Sequence, residues 1–223
     1  MTDFQVVDLG TKLGNSIGEF RRKANIFWPE FVAPHPGLCL GIDMQDKYRE
    51  DVEGQGYKFM TLDLTAEGAL EQLPEADYYI AWDFLEHLPN KEWSSAIVKV
   101  MLHKARKGVW IRMPSFEPDE STGEGVLLNL GLRFAWSNWR GHKSHYLLLD
   151  CITAINEYKT EAKRGSIAVK TKAGRRMRST TDDKVVPIDA PIDTVKYSLD
   201  MGHKKVEKFD PPLVAQWEVV ATM

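Results

Sequence analysis

The chain has 223 residues, of which 43% are hydrophobic and 27% charged, and its formal net charge is −3. This length accommodates one sizeable core, while the charge excludes a general attraction to nucleic acid or membrane, so any basic surface must be local. Two cysteines, Cys39 in an apolar run and Cys151 in a helical pattern, suit a reducing compartment better than a disulfide framework.

The first predicted strand, residues 4–7, reaches Asp8 and turns through Leu9, Gly10, Thr11, Lys12, Leu13 and Gly14. Ser16 and Glu19 follow at capping-box spacing and predict a helix running to Lys23. A glycine-marked passage from strand to helix lets the backbone approach a ligand closely and offers unpaired N–H groups to an anion. Three more apolar runs, 37–43, 57–64 and 77–83, lack alternation, as expected of parallel strands covered on both faces, and each carries an acid at its end: Asp43, Asp63 and Asp83. Asn90 caps a predicted helix with Trp93, Ile97, Val100 and Met101 at helical spacing. A fifth strand, 108–113, stops at Pro114, and an acidic loop over 115–125 and a helix over 147–159 follow.

Between Lys159 and Arg178 the composition turns basic, through Lys163, Arg164, Lys170, Lys172, Arg175 and Arg176. Short apolar pieces at 167–169 and 185–188 predict a hairpin or flap over about 160–195, inserted into one domain spanning 1–223. Residues 205–209 and 216–221 flank Pro211 and Pro212 and read as a closing pair of strands. Alternating strands and helices argue for a three-layer α/β sandwich with a mainly parallel sheet. No run approaches eighteen apolar residues and no basic-then-apolar segment opens the chain, so a cytoplasmic, unanchored protein is expected.

Ligands of such sheets sit beyond the carboxyl ends of the strands, where the acids lie. Neither G-x-G-x-x-G nor a Walker loop is present. The motifs Asp8-Leu9-Gly10-Thr11-Lys12-Leu13-Gly14, Gly41-Ile42-Asp43, Leu62-Asp63-Leu64 and, most specifically, Trp82-Asp83-Phe84-Leu85-Glu86-His87-Leu88 occur in the order found in the class I S-adenosylmethionine-dependent methyltransferases, which the first half of the chain resembles. Lys12 stands where that family usually has its middle glycine. The resemblance implies a Rossmann-like fold whose seven-stranded sheet has an antiparallel last strand. It also implies S-adenosyl-L-methionine as cofactor and methyl transfer to an unidentified acceptor. It assigns Asp8, Gly10 and Gly14 to the methionine part of the cofactor, Asp43 to the ribose, Asp63 and Leu64 to the adenine and Trp82 to the cofactor's flank. It counts Met44, Asp83 and Glu86 among the cofactor-binding residues, and has Glu86-His87 open toward the substrate side. Because the first strand begins at Phe4, cover for the substrate is expected from later loops or another subunit.

Each residue also has a plainer reading. Asp8 and Asp43 are common turn formers at strand ends, Asp63 a loop or capping group, and Trp82 a core aromatic. His87 stands in an apolar turn. His142 and His145 belong to the dense stretch Trp136-Ser137-Asn138-Trp139-Arg140-Gly141-His142-Lys143-Ser144-His145-Tyr146. The three histidines are the candidate general bases or, on the plainer reading, structural hydrogen-bonding groups. No nearby Cys or acid completes a ligand set for His142 and His145, so no metal is expected. Two rivals stand beside methyl transfer: a non-catalytic cofactor-binding protein of the same fold, and a nucleic-acid-associated accessory protein using the basic segment. That segment lacks the interleaved aromatics of single-strand binders, which leaves nucleic acid poorly supported as a partner.

Overall fold

The computed structural model describes residues 4–162, 166–194 and 206–223. In chain order the elements are β1 (Phe4–Leu9), α1 (Asn15–Lys23), β2 (Cys39–Asp43), α2 (Arg49–Gly54), β3 (Lys58–Thr61), β4 (Ala76–Trp82), α3 (Lys91–Lys104), β5 (Ala105–Pro114), α4 (Glu124–Leu128), β6 (Leu132–Phe134), α5 (Leu148–Glu161), β7 (Ala168–Ala173), β8 (Arg176–Ser179), β9 (Val185–Pro187), β10 (Lys208–Val214) and β11 (Gln216–Thr222). The apolar runs enter a seven-stranded sheet of order β3-β2-β1-β4-β5-β11-β7. Those of β2 and β4 lie inside it, whereas 57–64 supplies β3, an edge strand with two exposed residues and not one covered on both faces. Every residue of β2 is buried, as its unbroken apolar pattern requires. The first five strands of that order run parallel, and β11 enters antiparallel between β5 and β7. This is the Rossmann-like α/β sandwich, with an antiparallel strand from the end of the chain, that the sequence led us to expect.

Helices cover both faces, and the strand period decides which side chain faces which layer. Tyr79 and Ala81 of β4, with Val109 and Ile111 of β5, pack beneath Ile97 and Met101 of α3 and Ile155 of α5. Tyr78, Ile80 and Trp82 point the other way, into an aromatic layer with Phe20 of α1, Trp28 and Trp110. Asn90 caps α3, its side chain accepting from the Trp93 N–H at 2.9 Å. A third apolar cluster, built on Leu127, Phe134, Met177, Val185 and Leu213, lies outside these two layers. Two short ribbons contribute to it, β6 with β9 and β8 with β10.

Several expectations are corrected. The capping box does not form: Gly14, left-handed at φ 75°, stands at the N-cap of α1 with no side-chain cap. The Ser16 hydroxyl donates instead to the Asp8 carboxylate, and Glu19 accepts from Lys23 at 2.7 Å. The predicted flap is not a hairpin, because its two apolar pieces go to different partners. Strand β7, bearing Lys170 and Lys172, is the edge strand beside β11, whereas β9 pairs with β6. Lys163 and Arg164 lie outside the described residues, as does Lys205. The foreseen closing pair is also separated: β10 joins β8, and only β11 enters the main sheet. Among the described residues, no helix is long and apolar enough to cross a membrane.

Candidate functional site

Strand order reverses on either side of β1, whose neighbours are β2 and β4, and the crevice at the carboxyl ends there is the natural ligand position. Two cavities open at that end. The larger, about 500 Å³, is lined by the glycine turn (Gly10, Lys12), by the ends of the next strands (Asp43, Met44, Asp63, Leu64) and by Asp83, Phe84, His87, Trp139 and Lys143 among others. The smaller, about 260 Å³, is lined by Glu86, Pro114, Trp136, His142, Arg175, Lys184 and Gln216. Lys12, Asp83, His87 and Trp139 line both, so the two spaces share a wall.

The glycine turn is shaped by backbone geometry. Gly10 is left-handed at φ 72°, and a Cβ there would lie 2.4 Å from the Phe84 ring, so both conformation and close packing demand glycine. Lys12 is also left-handed, at φ 45°, which explains why glycine suits this position and places backbone strain at the site. Its N–H donates to Asp43 Oδ2 at 3.2 Å, while Asp43 Oδ1 accepts from the Gln45 N–H at 2.9 Å. Asp43, itself 8% exposed, therefore ties the first turn to the second.

Asp63 accepts from the Thr65 N–H and hydroxyl at 2.9 and 2.7 Å, bonds that hold its pKa below the ordinary carboxylate value. Asp83, left-handed at φ 50°, accepts from Arg112 at 2.9 Å and from Gln216 at 2.9 Å. Arg112 also reaches Glu19 at 3.4 Å and lies over the Trp82 ring.

Four of the expected residues fall elsewhere. Asp8 is 1% exposed, lies outside both cavities and accepts from Ser16; burial pushes its pKa up to about 7. Gly14 caps α1 and does not line either cavity. Trp82 faces the aromatic layer, 4.9 Å from Trp110 between ring centroids, because its place in the β4 alternation puts it on the α1 face. His145 is likewise outside both cavities, its exposed ring stacked on Phe116 at 4.6 Å.

The other two candidate histidines meet. The loop carrying His142 is stitched to the turn Leu85–His87 by the Ser144 N–H donating to the Glu86 carbonyl at 3.0 Å, and to α3 by the Ser94–Ser144 hydroxyl pair at 3.0 Å. His87 Nδ1 faces the Gly141 carbonyl at 3.0 Å, and His142 Nδ1 faces the Trp136 carbonyl at 2.8 Å. Each carbonyl only accepts, so Nδ1 carries the hydrogen and Nε2 the lone pair in both neutral rings. Burial lowers the pKa of both histidines, that of His142 to about 4. Burial, with the nearby charge of Asp83, raises Glu86 to about 8.

Arg112, Lys184 and Gln216 were not foreseen at the site, and of these only Arg112 left a signal, as a lone charge in the apolar fifth strand. Phe84 and Arg175 stood in the motif and the basic segment without being assigned to the cavities.

No protein-family model matches this sequence, and no curated protein matches it. Solved structures do match in shape. One is a SAM-dependent methyltransferase from Archaeoglobus fulgidus, 15% identical with a TM-score of 0.60 over 99% of this chain and 86% of that one. A second is the YcgJ protein from Bacillus subtilis, 11% identical with a TM-score of 0.57 over 99% and 92%. A third is magnesium protoporphyrin IX methyltransferase from Synechocystis PCC 6803 with bound SAH, 13% identical with a TM-score of 0.53 over 99% and 74%. At these identities the likeness is one of fold, and this chain has the fold of the class I S-adenosylmethionine-dependent methyltransferases.

Proposed function

We propose that this protein is a methyltransferase that binds S-adenosylmethionine in the larger cavity and passes its methyl group to an acceptor in the smaller one. The observation that carries this reading is the shared wall of Lys12, Asp83, His87 and Trp139, which brings two ligand spaces together at the carboxyl ends of β1 and β4. The residues present fit the cofactor. A volume of about 500 Å³ falls in the usual range of small-molecule sites. Each Asp43 oxygen accepts one backbone N–H and keeps further lone pairs for a ribose diol. Asp63 and Leu64 border the same space, as an adenine edge requires.

Once bound, the cofactor supplies a sulfonium methyl, whose C–S bond pair returns to sulfur as an acceptor lone pair forms the new bond. The protein's own part is alignment and proton handling. Asp83, clamped by Arg112 and Gln216, fixes the wall between donor and acceptor. The unprotonated Nε2 atoms of His87 and His142 stand ready to receive the acceptor's proton. The cations Lys12, Arg175 and Lys184, together with Trp136 and Trp139, favour an acceptor that carries both an anionic group and a flat apolar face. The reading takes the chain to act as one domain in the cytoplasm.

Calorimetric titration with S-adenosylmethionine and S-adenosylhomocysteine tests the first half of the reading: binding of both is expected, and no heat from either rejects it. Methyl-labelled cofactor with a panel of acceptor classes tests the second. A binding protein without turnover is the alternative favoured by the Phe84 ring against Gly10 and the strained Lys12. Cofactor binding with no methyl transfer to any acceptor would support it.

A further inference from the structure

Glu86, His87 and His142 were brought together by folding across more than fifty residues of sequence. One atom from each lies within 4.8 Å of the others. Glu86 Oε1 is 4.0 Å from His87 Nε2 and 4.0 Å from His142 Nε2. Such separations are too long for a hydrogen bond. Bonds of about 2.0–2.2 Å place neighbouring ligand atoms roughly 3–4 Å apart, so one small ion would draw these three groups slightly closer together. Glu86 Oε2 is buried without a hydrogen-bond partner, and the Glu86 side chain is only 2% exposed. Both histidines donate Nδ1–H to a backbone carbonyl, the arrangement that orients a metal-binding imidazole and leaves Nε2 as the ligand atom.

We propose that Glu86, His87 and His142 bind one divalent first-row transition metal ion. Two imidazoles and a carboxylate suit zinc, cobalt, manganese or iron better than magnesium or calcium, which prefer oxygen ligands. Three protein ligands beside a cavity leave coordination positions open, as in metal sites that act on a substrate. The Lys12 ammonium, which lines the same cavity, is the competing means of balancing the carboxylate. With the ion bound, both Nε2 lone pairs are engaged, and the ion takes over the histidines' proton-handling role by making an acceptor hydroxyl acidic. That use rests on the methyl-transfer reading. The ion's binding does not.

The test is titration of the tag-free full chain, stripped with a chelator, with Co²⁺, followed by calorimetry and by the visible absorption of the bound ion. One ion per chain with a nitrogen-ligand spectrum is expected, displaced by Zn²⁺. Glu86→Gln and His142→Asn are each expected to weaken binding at least ~30-fold, beyond the usual effect of a supporting residue, with an unchanged circular dichroism spectrum. His145→Gln, outside the cluster, is expected to bind Co²⁺ like the parent. No binding by the parent, or undiminished binding by folded Glu86→Gln and His142→Asn proteins, overturns the proposal. Cofactor titration of the same samples keeps the two readings apart, since metal binding without cofactor binding would reject methyl transfer and leave the ion site standing.

Discussion

The two cavities are built in different ways. The walls of the larger one come mainly from residues that end or closely follow their own strands: Gly10 and Lys12 after β1, Asp43 ending β2 with Met44 after it, Asp63 and Leu64 after β3, Asp83 after β4. The smaller one is gathered from Glu86, Trp136, His142, Arg175 and Lys184, which come from separate loops and turns, and from Gln216 at the start of β11. A site that inherits its geometry from strand ends is rigid and locally encoded. One assembled from loops is free to change its ligand while the scaffold persists.

Four expected outcomes would sharpen or break this contrast. The largest concerns Asp8, under the strand-end cavity. Its folded pKa of about 7 exceeds the ordinary 3.8, so the folded state holds a proton that the unfolded chain releases. Its contribution to stability is then full below about pH 4 and lost as pH rises through 7, by at most about 4 kcal/mol. Urea unfolding at pH 5 and pH 8 should show Asp8→Asn losing much less stability across that interval than the parent; equal losses would mean that Asp8 is not held neutral. Next, Asp43→Ala should weaken S-adenosylmethionine binding by about 1.5–3 kcal/mol, read by calorimetry. An unchanged dissociation constant would remove the ribose assignment.

On the loop-built side, Arg175→Ala should raise the acceptor KM by roughly tenfold, about 1.4 kcal/mol, while leaving cofactor affinity unchanged. If it moved the cofactor instead, the division between the two cavities would fail. The smallest effect is expected at Lys12→Gly, where release from the left-handed conformation should stabilise the fold by up to about 1 kcal/mol, seen as a modest rise in Tm. A fall in Tm would show that the Lys12 side chain contributes more than its backbone costs.

The same contrast explains what could be read in advance. The succession of strands along the chain and the place of Asp43, Asp63 and Asp83 at their ends were legible because each is a local feature. Trp82 misled because a position in a motif does not reveal a side of the sheet, and the β4 alternation sends it to Trp110. Asp8 misled for a similar reason: its neighbour Ser16 claims the carboxylate beneath the turn. The approach of Glu86 to His142 depends on a loop closure that no local pattern encodes. His145, by contrast, shares the stretch with His142 yet turns away to Phe116. The basic segment failed as a unit because charge says nothing of pairing: Lys170 and Lys172 belong to a sheet edge, and Arg176 and Arg178 to a ribbon.

The position of β11 has a further consequence for how the molecule is made. This strand follows every other described element in sequence yet lies inside the sheet, between β5 and β7, and its first residue Gln216 clamps Asp83 from 133 positions away. Until residues 216–222 have left the ribosome, β5 has an open edge, β7 has no partner in the sheet, and the wall between the two cavities lacks one of its supports. Closure of so long a loop sets a slow, late step. A nascent chain stalled before this point would therefore expose the free edge of β5 as a ready template for strand pairing.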